Sequence, residues 1–249
     1  MTLAVLAMYP FAHLSDAYDE LWAAIAARVD DAPERLDRDV EVHASWLRDD
    51  LLLGQTCGWP LVTRLADRVA VIGAFDHAVG FAADGTYRSV LVASRAVAVD
   101  QWRADPQYMV AVNDLESLSG WVSMCWAWGG PPPNCLVTGS HVESMRAVAQ
   151  GRANIASIDA VTYEFEAEAE PETVSHLQVV GHGPVVPSLP LVTSIEHAHR
   201  VAELRDAVRG AVADPAAAAA LARLRIRGFV PLDLSDYEPL RSMDHLLHD

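Results

Sequence analysis

The chain has 249 residues and a formal charge of −16, from 34 acidic against 18 basic groups, and every basic residue is Arg. Such a field repels nucleic acid and anionic membrane surfaces, and no stretch reaches the ~20 apolar residues needed to span a bilayer. Hydrophobic content of 51% with 21% charged residues is ordinary for a folded protein, long enough for one large domain or two lobes of roughly a hundred residues each.

The apolar run Thr2 to Met8 predicts a strand buried on both faces, ended by Tyr9 and Pro10. Tyr18, Leu21, Trp22, Ile25 and Ala26 recur at helical spacing over Ser15 to Arg28, with Ser15 or Asp16 as cap. Strands are expected at Asp39 to Val42 and Leu51 to Leu53, then the turn GQTCGWP and a short helix from Leu61 to Ala66. Two β-rich runs follow, Arg68 to Phe75 and Ser89 to Arg95, with the turn signal Asp84-Gly85 between them.

Residues 109 to 113 form the next expected strand, leading into a helix entered at Ser117 to Gly120 that fails by Gly129-Gly130 and the prolines 131 to 133. From Cys135 to Tyr163 the sequence reads strand (Leu136 to Thr138), helix (His141 to Gln150), strand (Ala153 to Ser157), helix start. Ser140 and Glu143 have capping-box spacing and Gly151 stops the helix, so the two strands should run parallel. In such sheets ligands bind beyond the carboxyl ends of the strands, where His141 and Asp159 fall. A strand over Leu177 to Val180, a Pro/Gly-rich passage at 181 to 194, a helix from Ser194 to about Val208 and another opened by Asp214-Pro215 complete the chain.

The T-G-S-H turn at 138 to 141, the helix ending in A-x-G-x-A and the I-D-A-V-T run resemble the phosphate/phosphonate-type solute-binding proteins of ABC transporters. AVNDLESLSGW (111 to 121) resembles the segment where that family holds the anionic head of its ligand, and AMYPF, LLLGQTCGWPL, YRSVLVASR and LPLVTS follow in the family's order. The resemblance implies an α/β protein with the two-lobed type 2 periplasmic-binding fold and a ligand cleft between lobes. Lobe 1 would take residues 1–93 and 188–249, and an inserted lobe 2 residues 94–187.

Ser117, Ser119 and Gly120 open a helix after a strand, where a phosphate, phosphonate or carboxylate is well received. The plainer alternative is ordinary capping by Ser117 and a Gly chosen for packing; the resemblance favours the ligand, although Leu118 stands where the family often has a small polar residue. His141 is placed to donate to an anion, with Asp159 either the acid that compensates its pKa or a partner for a ligand amine. Otherwise the two are a surface histidine and an N-cap. Tyr9 and the turn containing Thr56 and Cys57 are expected on the opposite wall; Tyr87, Ser89 and Trp121 complete the candidate ligand-binding set.

No cofactor or metal is indicated, and no nucleophile–base pairing, Walker motif or G-x-G-x-x-G is present. Cys57, Cys125 and Cys135 are expected as reduced thiols, with a single bridge the other option. The expected partners are a small anionic or zwitterionic solute and an ABC permease. MTLAVLAMYPFAH is no secretory signal as written, so the expected location is cytoplasmic, or periplasmic or cell-surface if a signal was removed. The competing readings are a cytosolic enzyme on the same fold, acting on a menaquinone- or thiamine-precursor-like metabolite, and a ligand sensor.

Overall fold

The structure, a computed structural model, describes residues 2–80, 83–95 and 105–248. The chain divides into two compact units, one comprising residues up to Ala78 with Pro187–Pro239, the other Tyr87–Val186 with residues from Leu240 onward.

The first unit is built on a five-stranded sheet of order β1-β2-β11-β3-β12. Its strands are β1 (Leu3–Val5), β2 (Leu51–Gln55), β3 (Val69–His77), β11 (Pro190–Ser194) and β12 (Ile226–Val230). β1 and β2 are parallel, whereas β11 lies antiparallel to both β2 and β3. Leu51, Leu52 and Leu53 are fully buried, as expected of a strand covered on both faces. Helix α1 (Ser15–Ala26) buries Tyr18, Leu21, Trp22 and Ile25 and packs against α8 (Val201–Val212) and α9 (Ala218–Arg223); α8 in turn lies on β3 and β12. The helix after β2 starts as α3 (Gly58–Pro60) and continues as the π-helical segment Leu61–Leu65. The short α10 (Leu234–Tyr237) is held by a capping box between Asp233 and Asp236.

The second unit has a five-stranded sheet of order β7-β6-β8-β5-β9. It contains β5 (Ser89–Ser94), β6 (Val110–Val112), β7 (Cys135–Val137), β8 (Ile155–Asp159) and β9 (Leu177–His182). β6 pairs in parallel with β7 on one side and β8 on the other, so the expected parallel pair flanks β6 rather than touching. Helix α5 (His141–Ala149) packs on β5, β6 and β8. α6 (Ala160–Ala169) and α7 (Pro171–Ser175) lie beside it, and α4 (Ser123–Trp128) is entered through the π-helical segment Leu118–Val122. Leu91, Ala93, Val110, Val112 and Ile155 form one core with Met124 and Ala127 of α4. Because side chains alternate along a strand, Ser157 shares that face with Ile155. Thr86–Tyr87 (β4) and Val186–Pro187 (β10), at the points of passage between units, form a two-stranded sheet.

Several expectations change. Asp39 to Val42 is not a strand: Val42–Ser45 (α2) is a helical turn whose first N–H groups, those of His43 and Ala44, donate to the Glu41 carboxylate at 3.0 and 2.9 Å. No side chain caps α1, because the 3₁₀ turn Ala12–Leu14 runs directly into it. Ser140 accepts from the Glu143 N–H at 3.1 Å, but the Glu143 carboxylate goes to Arg146 instead of closing the box. Pro190 opens β11, the position in a strand where the missing N–H costs least, and its carbonyl accepts from Thr56 N at 3.0 Å. Residues 87 to 93 and those from Leu240 onward, expected in the first lobe, fall in the second unit, where β5 is held by pairing with β8 and β9. Beyond Arg95 the expected passage from lobe 1 to lobe 2 runs into residues outside those described. The hairpin-like turn before it, with Asp84 at φ 51° and Gly85 at φ 74°, falls where the turn signal is read.

Gly73 in β3 has φ +154°, and a Cβ there would lie 2.5 Å from the Val230 carbonyl oxygen and 2.6 Å from the Phe229 ring of β12. Gly73→Ala is therefore expected to part the β3–β12 pair and destabilise the protein by about 2 kcal/mol or more, read by urea denaturation. Gly80→Ala, with nothing within 4 Å of the new methyl group, serves as the control and should leave the midpoint unchanged.

Candidate functional site

The second unit gathers a polar cluster at the carboxyl ends of β6 and β8. β6 ends at Val112, and Asn113 turns the chain toward Ser117, whose Oγ accepts from Gly120 N at 3.0 Å and caps the helical segment that follows. The chain after β7 is tied back to the same strand end: Thr138 N donates to Val112 O at 2.9 Å and Gly139 N to Asn113 O at 3.0 Å. Gly139 makes this turn at φ +89°, which favours glycine. The Thr138 hydroxyl, 2.7 Å from Ser144 Oγ, pins α5 to the turn.

These ties bring His141, the first residue of α5, to Ser119. Its Nε2 is 2.9 Å from Ser119 Oγ. Ser119 is fixed from behind as well, since Ser157 of β8 donates its hydroxyl to the Ser119 carbonyl at 2.5 Å. Ser117 Oγ and Ser119 Oγ are 3.4 Å apart. Gly120 packs so closely on Asn113 that any Cβ would run into the Asn113 side-chain oxygen, which is buried and has no hydrogen-bond partner. A side chain at 120 would have to displace the Asn113 amide.

Burial holds the His141 imidazole down to about 4, with the Ser157 backbone opposing the shift. Desolvation and the Ser157 backbone are the causes of that shift, and Asp159 is not among them. Asp159 instead caps α6, its Oδ1 accepting from Val161 N at 2.8 Å and Thr162 N at 3.0 Å. Ser89 is its cross-strand partner, and both are buried. Trp121 packs against the core beneath α4. Tyr87 is buried at the end of β4.

In the first unit Tyr9 is buried after β1 and meets the His77 ring edge-on, with centroids 5.7 Å apart. Thr56 and Cys57 follow β2, both buried; the Cys57 carbonyl accepts from Leu61 N at 3.2 Å while its side chain makes no capping bond. Gln55 beside them has a buried Nε2 without a hydrogen-bond partner. All three cysteines are unbridged, and burial pushes the Cys125 thiol up to about 12. Among the described residues no cluster of His, Cys, Asp or Glu is arranged to hold a metal ion.

Sequence reasoning missed Asn113, Ser157, Gln55 and His77. A serine within the apolar strand IASID is a legible signal, because a hydroxyl in a doubly covered strand needs a specific partner.

His77, like His141, titrates at about 4 through burial, against about 6.5 in an unfolded chain. As pH falls from 7, the unfolded chain therefore takes up these protons first, and the associated stability, full above 6.5, is lost on the way to 4. The denaturation midpoint is expected to fall over that window, and His77→Gln with His141→Gln should flatten the fall in a pH series of melting curves.

The sequence matches, over residues 59–237, the family described as ABC transporter, phosphonate, periplasmic substrate-binding protein. No curated protein matches the chain in sequence. Among solved structures, a binding protein component of an ABC phosphonate transporter from Pseudomonas aeruginosa superposes with a TM-score of 0.76 at 17% identity, covering 98% of this chain and 86% of the other. A Prochlorococcus marinus protein in complex with methylphosphonate gives a TM-score of 0.74 at 14% identity, covering 98% and 97%. A Xanthomonas citri protein bound to ATP gives 0.72 at 17%, covering 99% and 97%. At these identities the structural likeness establishes the fold, that of the periplasmic binding proteins, and the match over most of the sequence establishes the lineage: the chain belongs to the phosphonate ABC-transporter family of periplasmic substrate-binding proteins.

Proposed function

We propose that the chain is the solute receptor of an ABC transporter and that Ser117, Ser119, Gly120 and His141 hold the anionic head of a small phosphate- or phosphonate-like solute. The observation that carries this reading is the bonded Ser119–His141 pair beside the Ser117 cap. It sits at a helix start whose glycine leaves no space for a side chain. Hydroxyls and a neutral imidazole bind an anion without adding a cation. A protein with a net charge of −16 then relies on short-range donors instead of long-range attraction. Similar folds have been solved with methylphosphonate, ATP and chloride, and these ligands support an anionic class.

Tyr9, Thr56, Cys57, Tyr87, Ser89 and Asp159 are proposed contacts for the rest of the solute, each to be tested by substitution. Trp121, half-buried against the core of the second unit, is a further candidate contact for the same test. The family description supports an export route, an ABC permease as partner and non-covalent binding as the activity. The polar cluster suits that activity: hydroxyls and amides positioned before the ligand arrives lose little entropy on binding it.

The test is a thermal-shift series with phosphate, methylphosphonate, sulfonates and amino acids, followed by recovery of the compound. A phosphonate or phosphate at a hundred times its Kd should stabilise the protein by about 2.7 kcal/mol and be recovered unchanged. Ser119→Ala and His141→Ala should each weaken that ligand by about tenfold or more, the loss of one or two hydrogen bonds, with melting in its absence little altered. Consumption of the compound would instead establish an enzyme, and no response to any phosphate or phosphonate would overturn the reading.

A further inference from the structure

The first unit holds a buried polar group that neither its sheet nor the anion cluster uses. β1 and β2 run parallel, so their carboxyl ends come together, where α/β sheets take ligands. β2 ends at Gln55, which is 3% exposed, and the amide Nε2 has no hydrogen-bond partner among the described residues. An amide removed from water and left unpaired is costly, and folded chains rarely tolerate one without a use for it.

The backbone around that amide is fixed. The Gln55 carbonyl accepts from Trp46 Nε1 at 3.0 Å, the Thr56 N–H donates to the Pro190 carbonyl at 3.0 Å, and Leu191 of β11 is the cross-strand partner of Gln55. A side chain on so firmly held a strand end loses little entropy in meeting a ligand. The main chain is engaged and the amide nitrogen is idle.

The neighbouring sequence limits what it can take. Residues 6–11 and 55–60, which lead out of β1 and β2, contain no charged side chain, so a charged group buried against them would lack a counter-charge. An amide carries both donors and an acceptor, and whichever way it is turned it can pair with a neutral hydrogen-bonding group. An alkyl group would leave it unpaired, the mismatch by which a polar site most strongly rejects an isostere.

We propose that Gln55 sets the specificity of this receptor by bonding a neutral hydroxyl or carbonyl on the tail of the solute, which is then a phosphonate or phosphate ester with a polar, uncharged tail. This rests on the function proposed above, in which the second unit takes the anionic head.

The experiment is isothermal titration of the full chain, wild type and Gln55→Met, the substitution keeping the length of the side chain and removing its amide. The probes are methylphosphonate, two isosteric pairs (2-hydroxyethyl- and propylphosphonate, 3-hydroxypropyl- and butylphosphonate) and 2-aminoethylphosphonate. In the wild type at least one hydroxyl compound should bind about tenfold or more tighter than its alkyl isostere and than the amine. Gln55→Met should lose that preference, bind methylphosphonate as the wild type does, and melt no lower without ligand, since it no longer buries an unpaired amide. Wild-type protein that binds both alkyl compounds as tightly as their hydroxyl isosteres, or the amine tightest, would overturn the proposal while leaving the anion site standing. So would a variant that keeps the preference, weakens methylphosphonate equally, or melts well below the wild type, the last marking an amide paired within the protein. The wild-type comparison decides by itself if Gln55→Met does not fold. Binding of none of these compounds, methylphosphonate included, would remove the anion site and this proposal together.

Discussion

The constraint on which the second unit depends is that β6 is paired in parallel on both sides, to β7 and to β8. Parallel neighbours present their carboxyl ends together, so the segments that leave them start from one region. The turn carrying Ser117 to Gly120 leaves β6, and the turn carrying Thr138 to His141 leaves β7. Backbone bonds from Thr138 and Gly139 to Val112 and Asn113 then lock the second turn onto the end of β6. The Ser119–His141 bond joins residues 22 apart in sequence, and the pairing is what makes it possible.

The serines of the cluster are buried, and the cluster is held from several sides. Ser119 is fixed at its hydroxyl by His141 and at its carbonyl by Ser157, while Ser117 spends its acceptor on the helix cap. Groups positioned in advance lose little entropy on meeting a ligand, which suits a receptor that must bind and release. Asn113 Oδ1 and His141 Nδ1 are the exceptions to local satisfaction, and the Asn113 oxygen lies where a Cβ on Gly120 would fall. Orphaned polar atoms are rare in folded proteins, and here two fall within the proposed site.

Most strands and helices were legible because their signals are local. Apolar runs marked β1, β2, β3, β5, β6 and β8, although the β8 strand itself starts later than expected; Asp214-Pro215 opened the turn before α9, and Gly129 at φ 93° ended α4 where the paired glycines indicated. The failures are tertiary. β11 looked like a loop because of its prolines and is a strand because β2 and β3 pair with it on either side. β12 went unread because it is an edge strand of mixed burial, held to β3 at the point where Gly73 allows close approach.

By itself the sequence determined the alternation of strands and helices, the family, the helix start at Ser117 to Gly120 and the placement of His141 and Asp159 beyond strand ends, all of which depend on residues close in the chain. Only the tertiary structure decided which of these groups meet. It joined His141 to Ser119, gave Asp159 to the first turn of α6, set Trp121 half-buried against the core and brought Ser157 and Asn113 into the cluster. The physical reason is that a hydrogen-bond partner is chosen by distance and direction in space. Strand order and register set both of these, and strand order and register are properties of pairing between distant segments, which no local pattern records.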